Sequence, residues 1–275
     1  MKILLILAVV GLSEGFFFGK RPDWGDLRVR FGTPISDFRT QPRTVQEARA
    51  QGFTPVGGCS ASNGYMGTRY VKNGNTAVML LFDKNGFIAG IQAGLPKNLP
   101  NGYPDRSSHR DLFISEGSKY VITAYFTNPE KICSEGRSSN QFDTEGTGNG
   151  LFIQSGANPV RDFITIPMTE SAIARTKWTK GKCFYWMGRH YWYDVTSNMD
   201  CKDFFPMFLL YNSGKLDGFG WAFGADLSEE VWEHPSASTF NLGLFIDPVP
   251  RCLVSTTTRL STLHVYMSNP YSNFC

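Results

Sequence analysis

The chain has 275 residues, of which 41% are hydrophobic and 14% aromatic, and its formal net charge is +3. This length allows one large domain or two small ones, each able to bury a substantial core. The Lys and Arg residues are scattered and form no basic stripe, so composition and charge argue against a nucleic-acid-binding protein.

The N-terminal residues predict a secretory signal peptide. Lys2 precedes an apolar run, 3–12, and Ser13-Glu14-Gly15 places small residues at the two positions that a signal peptidase reads. Ten apolar residues are too few to span a bilayer, which needs roughly 20. We therefore expect residues 1–15 to be removed, residues 16–26 to form an irregular N-terminal arm, and the mature protein to be secreted and extracellular. No later segment is long and apolar enough for a membrane span.

The first predicted elements occur twice along the chain. Residues 27–34 alternate in the manner of a strand and end in turn residues, and residues 151–159 have the same form. Each strand is followed, after a short connection, by a Thr that begins a short helix, predicted over 44–51 in one case and 169–177 in the other. In the first helix the Thr and the Glu three residues later fit a capping box.

Two hairpins continue this correspondence. Met79 to Ile91 and Phe208 to Gly220 each read as an apolar strand, a Gly-containing polar turn and a second strand. Seven blocks recur in the same order with similar spacing, which predicts a tandem duplication with repeats at 27–133 and 151–275 and a Gly/Ser/Thr-rich linker at 134–150. The expected fold class is α+β and β-rich, built from a strand-helix-antiparallel-sheet module. Two such modules could pack about a pseudo-two-fold axis or close into one shared barrel.

Six Cys residues in a secreted chain favour three disulfides over free thiols or a zinc site, and no C-x-x-C pair is present. Two cysteines of the first repeat have counterparts in the second, and the remaining two fall in segments added only to the second repeat. The predicted pairs are Cys59 with Cys133, Cys183 with Cys275, and Cys201 with Cys252.

Two histidines distinguish the second repeat from the first. His190 stands where the first repeat has Arg69, and His264 stands where it has Thr123. If their strands are neighbours, the two rings could form a general base with its partner or two ligands of a zinc or copper ion. The alternative is that both are buried structural residues bonded to backbone carbonyls. The sequence does not choose a third ligand among Asp194, His234, Glu233 and Asp217.

Aromatic residues are concentrated in the second repeat, since five of the six Trp residues lie between Trp178 and Trp232. Successive side chains of a strand face opposite sides, so one set could line the core while the other faces a ligand. Packing in the core is the alternative for these rings. The predicted ligand-binding residues are Tyr191, Trp192, Tyr193 and Trp221, and the neighbouring aromatic residues are Phe184, Tyr185 and Trp186.

These observations leave three functional hypotheses and do not decide whether the protein is an enzyme. The first is an extracellular binding protein that holds a small molecule or a protein partner through its aromatic-rich second repeat. The second is a metal-dependent or His-assisted oxidoreductase or hydrolase using His190 and His264. The third is a structural component of the extracellular matrix. The G-x-G-x-x-G, Walker, G-x-S-x-G and H-E-x-x-H motifs are absent.

Overall fold

The computed structural model describes residues 23–32, 37–236, 238–239, 243–255 and 259–275. The predicted signal peptide, 1–15, and residues 16–22 of the predicted arm lie outside the described residues. Trp24, at the end of that arm, is buried, and its indole Nε1 donates to the carbonyl oxygen of Leu216 at 2.8 Å. The last residues of the arm are therefore fixed against the protein core.

Most of the described elements are strands. The strands, in chain order, are β1 (Arg28–Val29), β2 (Arg39–Thr40), β3 (Phe53–Pro55), β4 (Thr68–Lys72), β5 (Asn75–Phe82), β6 (Ile88–Pro96), β7 (Ile114–Glu116), β8 (Lys119–Tyr125), β9 (Leu151–Gln154), β10 (Phe163–Ile166), β11 (Trp178–Phe184), β12 (Gly188–Tyr193), β13 (Met207–Asn212), β14 (Lys215–Phe223) and β15 (Ser261–Tyr266).

Short helices connect these strands. The α-helices are α1 (Val45–Ala50), α2 (Pro129–Ile132), α3 (Ser139–Glu145), α4 (Glu170–Ile173) and α5 (Arg251–Ser255), and single 3-10 turns lie at Ala61–Asn63, Arg110–Leu112, Cys201–Asp203 and Pro270–Ser272. The fold is thus β-rich with few helices, as the sequence predicts.

The strands form two antiparallel sheets. Sheet 1 has the order β3-β4-β5-β6-β8-β9-β10, with β7 paired to β8, and sheet 2 has the order β11-β12-β13-β14-β15-β1-β2. In sheet 2, β1 pairs with β15 across 237 residues of chain, joining Arg28 to Tyr266 and Val29 to Val265. In sheet 1, β9 pairs with β8. Each sheet therefore ends in two strands from the other part of the chain: β9 and β10 join the strands that precede them in sheet 1, and β1 and β2 join the later strands of sheet 2.

Local sequence signals account for the helix starts. Thr44 and Glu47 make the predicted capping box of α1, and the hydroxyl of Thr169 caps α4. The segment predicted as a linker contains α3, which begins with a second capping box, formed by Ser138 and Gln141. A capping box satisfies two backbone N–H groups at a helix start, so this polar segment is ordered by its own side chains.

The main core lies between the two sheets. In β14 the side chains of Phe219, Trp221 and Phe223 point into this core, and from sheet 1 the ring of Phe126 meets that of Phe219 with centroids 6.4 Å apart. Alternating residues of each strand face the opposite way. Each sheet thus has an inner face, buried against the other sheet, and an outer face.

The outer face of sheet 2 is covered by residues 195–206, 243–255 and 259–260, which form two covering segments on either side of the sequence of β13 and β14. Buried apolar residues from these segments pack on side chains of β12, β13 and β15. The disulfide between Cys201 and Cys252 joins the two segments. The covering residues in this second core are Val195, Phe204, Ile246, Leu253 and Leu260.

Three disulfides pair the six cysteines as Cys59 with Cys133, Cys183 with Cys275, and Cys201 with Cys252, the pairs expected from the sequence. None of the described helices has the length and apolar character needed to cross a membrane.

Candidate functional site

The structure brings His190 and His264 together on the outer face of sheet 2. Their ring centroids are 6.0 Å apart, and the ring of Phe208 contacts both, at 5.4 Å from His190 and 4.8 Å from His264. Both histidines are buried, with exposed fractions of 1% and 6%. We refer to His190, His264, Phe208 and Glu233 as the histidine cluster.

Glu233 anchors one side of this cluster. Its carboxylate accepts hydrogen bonds from Nδ1 of His264 at 2.5 Å and from the backbone N–H of Phe31 at 2.6 Å. The hydroxyl of Thr262 donates to the same carboxylate at 3.1 Å. A carboxylate on Nδ1 orients an imidazole and leaves Nε2 as its second polar atom. Within the described residues, Nε2 of His264 and Nδ1 of His190 are buried without a hydrogen-bond partner.

Burial sets the protonation of this cluster. It lowers the pKa of His190 to about 3, an effect that the charge of His264 increases and hydrogen bonds to the carbonyls of Lys182 and Gly188 oppose. Burial alone would raise the pKa of Glu233, but the charge and hydrogen bonds of His264 and the N–H of Phe31 hold it below its usual value. At neutral pH, His190 is therefore an uncharged ring.

Glu233 is the one third-ligand candidate that contacts a histidine of the pair. Asp194 is exposed and pairs with Lys177, and His234 lies near the carbonyl of Leu260. Asp217 is buried, which raises the pKa of its carboxyl group. Among the described residues, no three His, Cys, Asp or Glu side chains are grouped so that they could hold a metal ion.

Three of the four predicted ligand-binding residues are buried packing residues. Tyr191 and Trp221 belong to the main core, and Trp192 belongs to the second core with its Nε1 donating to the carbonyl of Phe245 at 3.0 Å. Tyr193 is partly exposed and packs on Trp178 and Phe205. Ligand binding by these four residues stays a prediction, and three of them have little surface to offer a ligand.

A polar row crosses the outer face of sheet 1. The Nε of Arg69 on β4 donates to Oε1 of Gln92 on β6 at 2.7 Å, and Nε2 of Gln92 donates to Oγ1 of Thr123 on β8 at 2.8 Å. All three side chains are buried. This row lies between two small apolar clusters of the same face, one around Leu81 and Tyr125 and one around Met79.

A pocket partly open to solvent lies over this row. Its volume is about 30 Å³, enough for about two water molecules. Polar side chains dominate its lining, and a site with several convergent polar groups is typical of small-molecule recognition. We call it the Arg69 pocket; its lining residues are Asn63, Gly64, Tyr65, Arg69, Gln92, Ile114, Ser115, Glu116, Val121 and Thr123.

Besides its hydrogen bond to Gln92, the guanidinium of Arg69 has two further partners. Its Nη1 and Nη2 donate to the two carboxylate oxygens of Glu116 at 2.6 and 2.8 Å, a bidentate ion pair. The ring of Tyr65 lies over it, with 3.9 Å from Cζ to the ring centroid. The Arg69 hydrogen bonds lower the pKa of Glu116, which outweighs the opposing effect of its partial burial. The Glu116 carboxylate is therefore charged at neutral pH.

One glycine explains why the corresponding region of sheet 2 has a different surface. Gly220 pairs with His264 in the register of β14 and β15, just as Gln92 pairs with Thr123 in sheet 1. A Cβ at Gly220 would lie 2.0 Å from Cζ of Phe208. The missing side chain lets the Phe208 ring fill the space between the two histidines, whereas Gln92 carries a polar link across sheet 1.

No protein family, curated protein or solved structure matches this chain. The site must therefore be interpreted from its own geometry.

The sequence contained a signal for part of the Arg69 pocket. The comparison of repeats that points to His190 and His264 also gives Arg69 and Thr123 as their counterparts, whereas residue type alone favours the histidines as site residues. Nothing comparable pointed to Glu116, which is 47 residues from Arg69 in the chain and meets it only through the pairing of β7 with β8.

Proposed function

We propose that this protein is an extracellular binding protein that holds a small polar molecule in the Arg69 pocket. The observation that carries the proposal is a buried arginine at the base of an accessible pocket, fixed by Gln92 and Tyr65 and surrounded by hydrogen-bonding groups. Ligand sites in proteins usually combine a concave surface with a few placed polar groups of this kind.

This proposal keeps the function expected from the sequence and changes the place of the site. The expected site in the second repeat falls on residues that pack in the two cores. The outer face of sheet 2 is covered by residues 195–206, 243–255 and 259–260, whereas the polar row of sheet 1 borders a pocket partly open to solvent. Accessibility thus favours sheet 1 as the binding face.

Secretion is part of the same proposal. Three disulfides are compatible with an oxidising compartment, where such bonds form and persist. The predicted signal peptide at residues 1–15 supports the same location. Mass measurement of the protein secreted by eukaryotic cells would locate the cleavage site.

The proposal also includes the tandem duplication, with repeats at 27–133 and 151–275 related by a pseudo-two-fold axis. Support comes from the two sheet orders, in which β3, β4, β5, β6, β8, β9 and β10 have the same succession as β11, β12, β13, β14, β15, β1 and β2. On this interpretation each repeat gives its first two strands to the sheet of the other repeat.

Native mass spectrometry of the secreted protein tests the binding function. We expect an organic adduct, or thermal stabilisation by members of a small-molecule panel, that survives in His190→Ala and is lost in Arg69→Met. An adduct that is lost in His190→Ala and survives in Arg69→Met would place the site at the histidine cluster. A protein without adduct that no panel member stabilises would contradict the binding function.

A second candidate is a metal-dependent or His-assisted enzyme centred on His190 and His264. It is favoured by the two unpartnered ring nitrogens and by the Glu233 carboxylate that orients His264. A zinc or copper mass lost in His190→Ala would support it. Equal metal content in wild type and in that variant would remove it.

A further inference from the structure

The carboxylate of Glu116 faces the Arg69 guanidinium, in a position that the carboxylate of a ligand could also take. It meets the fork of the Arg69 guanidinium through two nearly parallel hydrogen bonds, of 2.6 and 2.8 Å. This bidentate geometry is the one by which arginine recognises carboxylates in general. The space that Glu116 fills is therefore already shaped for a planar anionic group.

The two partners of this ion pair are anchored unequally. The Arg69 side chain is 5% exposed and is fixed by Gln92 and by the Tyr65 ring, whereas the Glu116 side chain is 37% exposed. Glu116 ends the three-residue strand β7, and a two-residue turn joins it to β8. Moving Glu116 outward would expose its carboxylate to water, but moving Arg69 would disrupt the polar row.

The surrounding charge favours an anionic occupant once Glu116 has moved. Lys97 lies on the opposite face of the sheet, because its Nζ donates to the hydroxyl of Ser115 and lies over the ring of Tyr120, a residue of the main core. Lys119 pairs with Glu116 across the turn, and its charge helps to lower the pKa of that carboxyl group. Asp105 is paired with Arg110 and accepts a hydrogen bond from the hydroxyl of Tyr120, so it also belongs to the opposite face. Once Glu116 has moved, Arg69 and Lys119 therefore give the pocket a positive excess.

We propose that the Arg69 pocket binds a small organic carboxylate, and that Glu116 is an internal competitor that holds the carboxylate position until the ligand displaces it. This inference rests on the proposed binding function and adds to it the ligand class and a self-occluding side chain. On displacement, the ligand carboxylate accepts both hydrogen bonds of the guanidinium, and Glu116 turns toward solvent and the positive charge of Lys119.

The test is a titration of the disulfide-intact protein, followed by two-dimensional NMR at constant ionic strength. Acetate and propionate represent small carboxylates, the blocked dipeptide acetyl-Gly-Gly represents a peptide C-terminus, and inorganic phosphate and chloride are the comparison anions. We expect carboxylate-dependent shifts at Tyr65, Gln92 and Thr123, and at least a tenfold rise in carboxylate affinity in Glu116→Gln. Arg69→Met should remove the shifts.

Two further variants control for net charge and for the reach of the side chain at position 116. Glu135→Gln changes the net charge by the same amount, but Glu135 is exposed and is not a lining residue of the pocket. The carboxylate affinity of this variant should therefore equal that of wild type. Glu116→Asp retains the charge on a shorter side chain that reaches Arg69 less well, so it should fall between wild type and Glu116→Gln. Tighter binding of acetyl-Gly-Gly than of propionate would identify a peptide terminus as the source of the carboxylate.

The outcomes separate this inference from the proposed function. If Glu116→Gln binds carboxylates no better than wild type while Arg69→Met still abolishes binding, Glu116 is not a competitor and the inference is wrong, but the pocket is a binding site. If phosphate binds and carboxylates do not, the ligand class is wrong. If no probe binds wild type or Glu116→Gln, and the small-molecule panel also leaves the protein unchanged, both proposals fail.

Discussion

The outer faces of the two sheets carry polar side chains at corresponding points of the strand order, but those of sheet 1 border a pocket and those of sheet 2 are covered. On sheet 1, Arg69 and Thr123 are joined through Gln92 and border a pocket, so the charge is both satisfied and accessible. On sheet 2, His190 and His264 lie beneath a second hydrophobic core. The comparison shows that the covering segments, more than the residue types, determine whether such a row can meet a ligand.

The electrostatic consequences follow from the same difference. Desolvation under the cover lowers the pKa of His190 to about 3 and makes it a neutral packing ring. On sheet 1 the Arg69 guanidinium forms a bidentate ion pair with the Glu116 carboxylate beside a pocket partly open to solvent. His190, which the sequence suggests as a site residue, is therefore a buried neutral ring, whereas the arginine at the corresponding position forms an ion pair beside a pocket.

Loosening the segments that cover sheet 2 should have the largest effect on the difference between the two outer faces. Replacing Cys201 and Cys252 by Ala opens a disulfide with a sequence separation of 51 and should lower the free energy of unfolding by about 4 kcal/mol. The covering segments should loosen, and the pKa of His190, followed by NMR, should rise toward that of an ordinary histidine.

The double replacement of Cys59 and Cys133 is the matched control, because it removes a disulfide associated with sheet 1. It should cost comparable stability and leave the pKa of His190 low. An unchanged His190 pKa after opening of the Cys201–Cys252 bond would show that the bond does not maintain the cover.

Acid should weaken the protein through His190. Its pKa is about 3 in the folded state and 6.5 for an ordinary histidine, so between these values the unfolded chain binds a proton that the folded chain does not. Stability must then decrease as the pH falls, by about 2 kcal/mol between pH 7 and pH 5. Denaturant unfolding of wild type and His190→Phe measures this, and the variant should lose that part of the slope.

Glu233 acts at lower pH, since its pKa is held below the usual 4.5. Its contribution is present above that value and is lost as the pH falls through the lowered pKa. A His190→Phe variant with the full wild-type slope between pH 7 and pH 5 would assign the acid sensitivity elsewhere.

The smallest expected effect concerns the hydrogen bond between Gln92 and Thr123 in the polar row of sheet 1. Thr123→Val keeps the shape of the side chain but removes the acceptor for Nε2 of Gln92, and should cost about 1 kcal/mol of unfolding free energy. Thr54→Val is the control, because the Thr54 hydroxyl is at an exposed position and its hydrogen bond to Val71 is 3.4 Å long. Equal losses of unfolding free energy in Thr123→Val and Thr54→Val would mean that the hydrogen bond from Gln92 to Thr123 does not stabilise the fold more than an exposed hydrogen bond does.

The elements that the sequence predicted well depend on local signals. Both hairpins form, as β5 with β6 and β13 with β14, because each combines apolar strands with a turn that contains glycine. The capping box of α1 and the three cysteine pairs also follow the expectation. The sequence does not predict the helix α3, because the Gly/Ser/Thr-rich composition of 134–150 indicates a linker although Ser138 and Gln141 have the spacing of a capping box.

The parts that escaped prediction depend on distant contacts. An alternating strand pattern at 27–34 indicates a strand but not its partner, so the pairing of β1 with β15 could not be read from it. Burial of Trp192 and Trp221 follows from the cover and from the opposing sheet, and both arise from tertiary packing. For the same reason Arg69 and Thr123 could be found by internal comparison, whereas Glu116 could not.

The pairing of β1 with β15 also has a consequence for how the protein acquires its structure. Residue 28 leaves the ribosome long before residue 266, yet the two are partners in one sheet. Sheet 2 therefore cannot be completed during synthesis of the first half, and β1, which can already pair with β2, must wait for its second partner, β15. Such a high contact order requires costly loop closure before the pairing stabilises the fold, which predicts slow, post-translational folding.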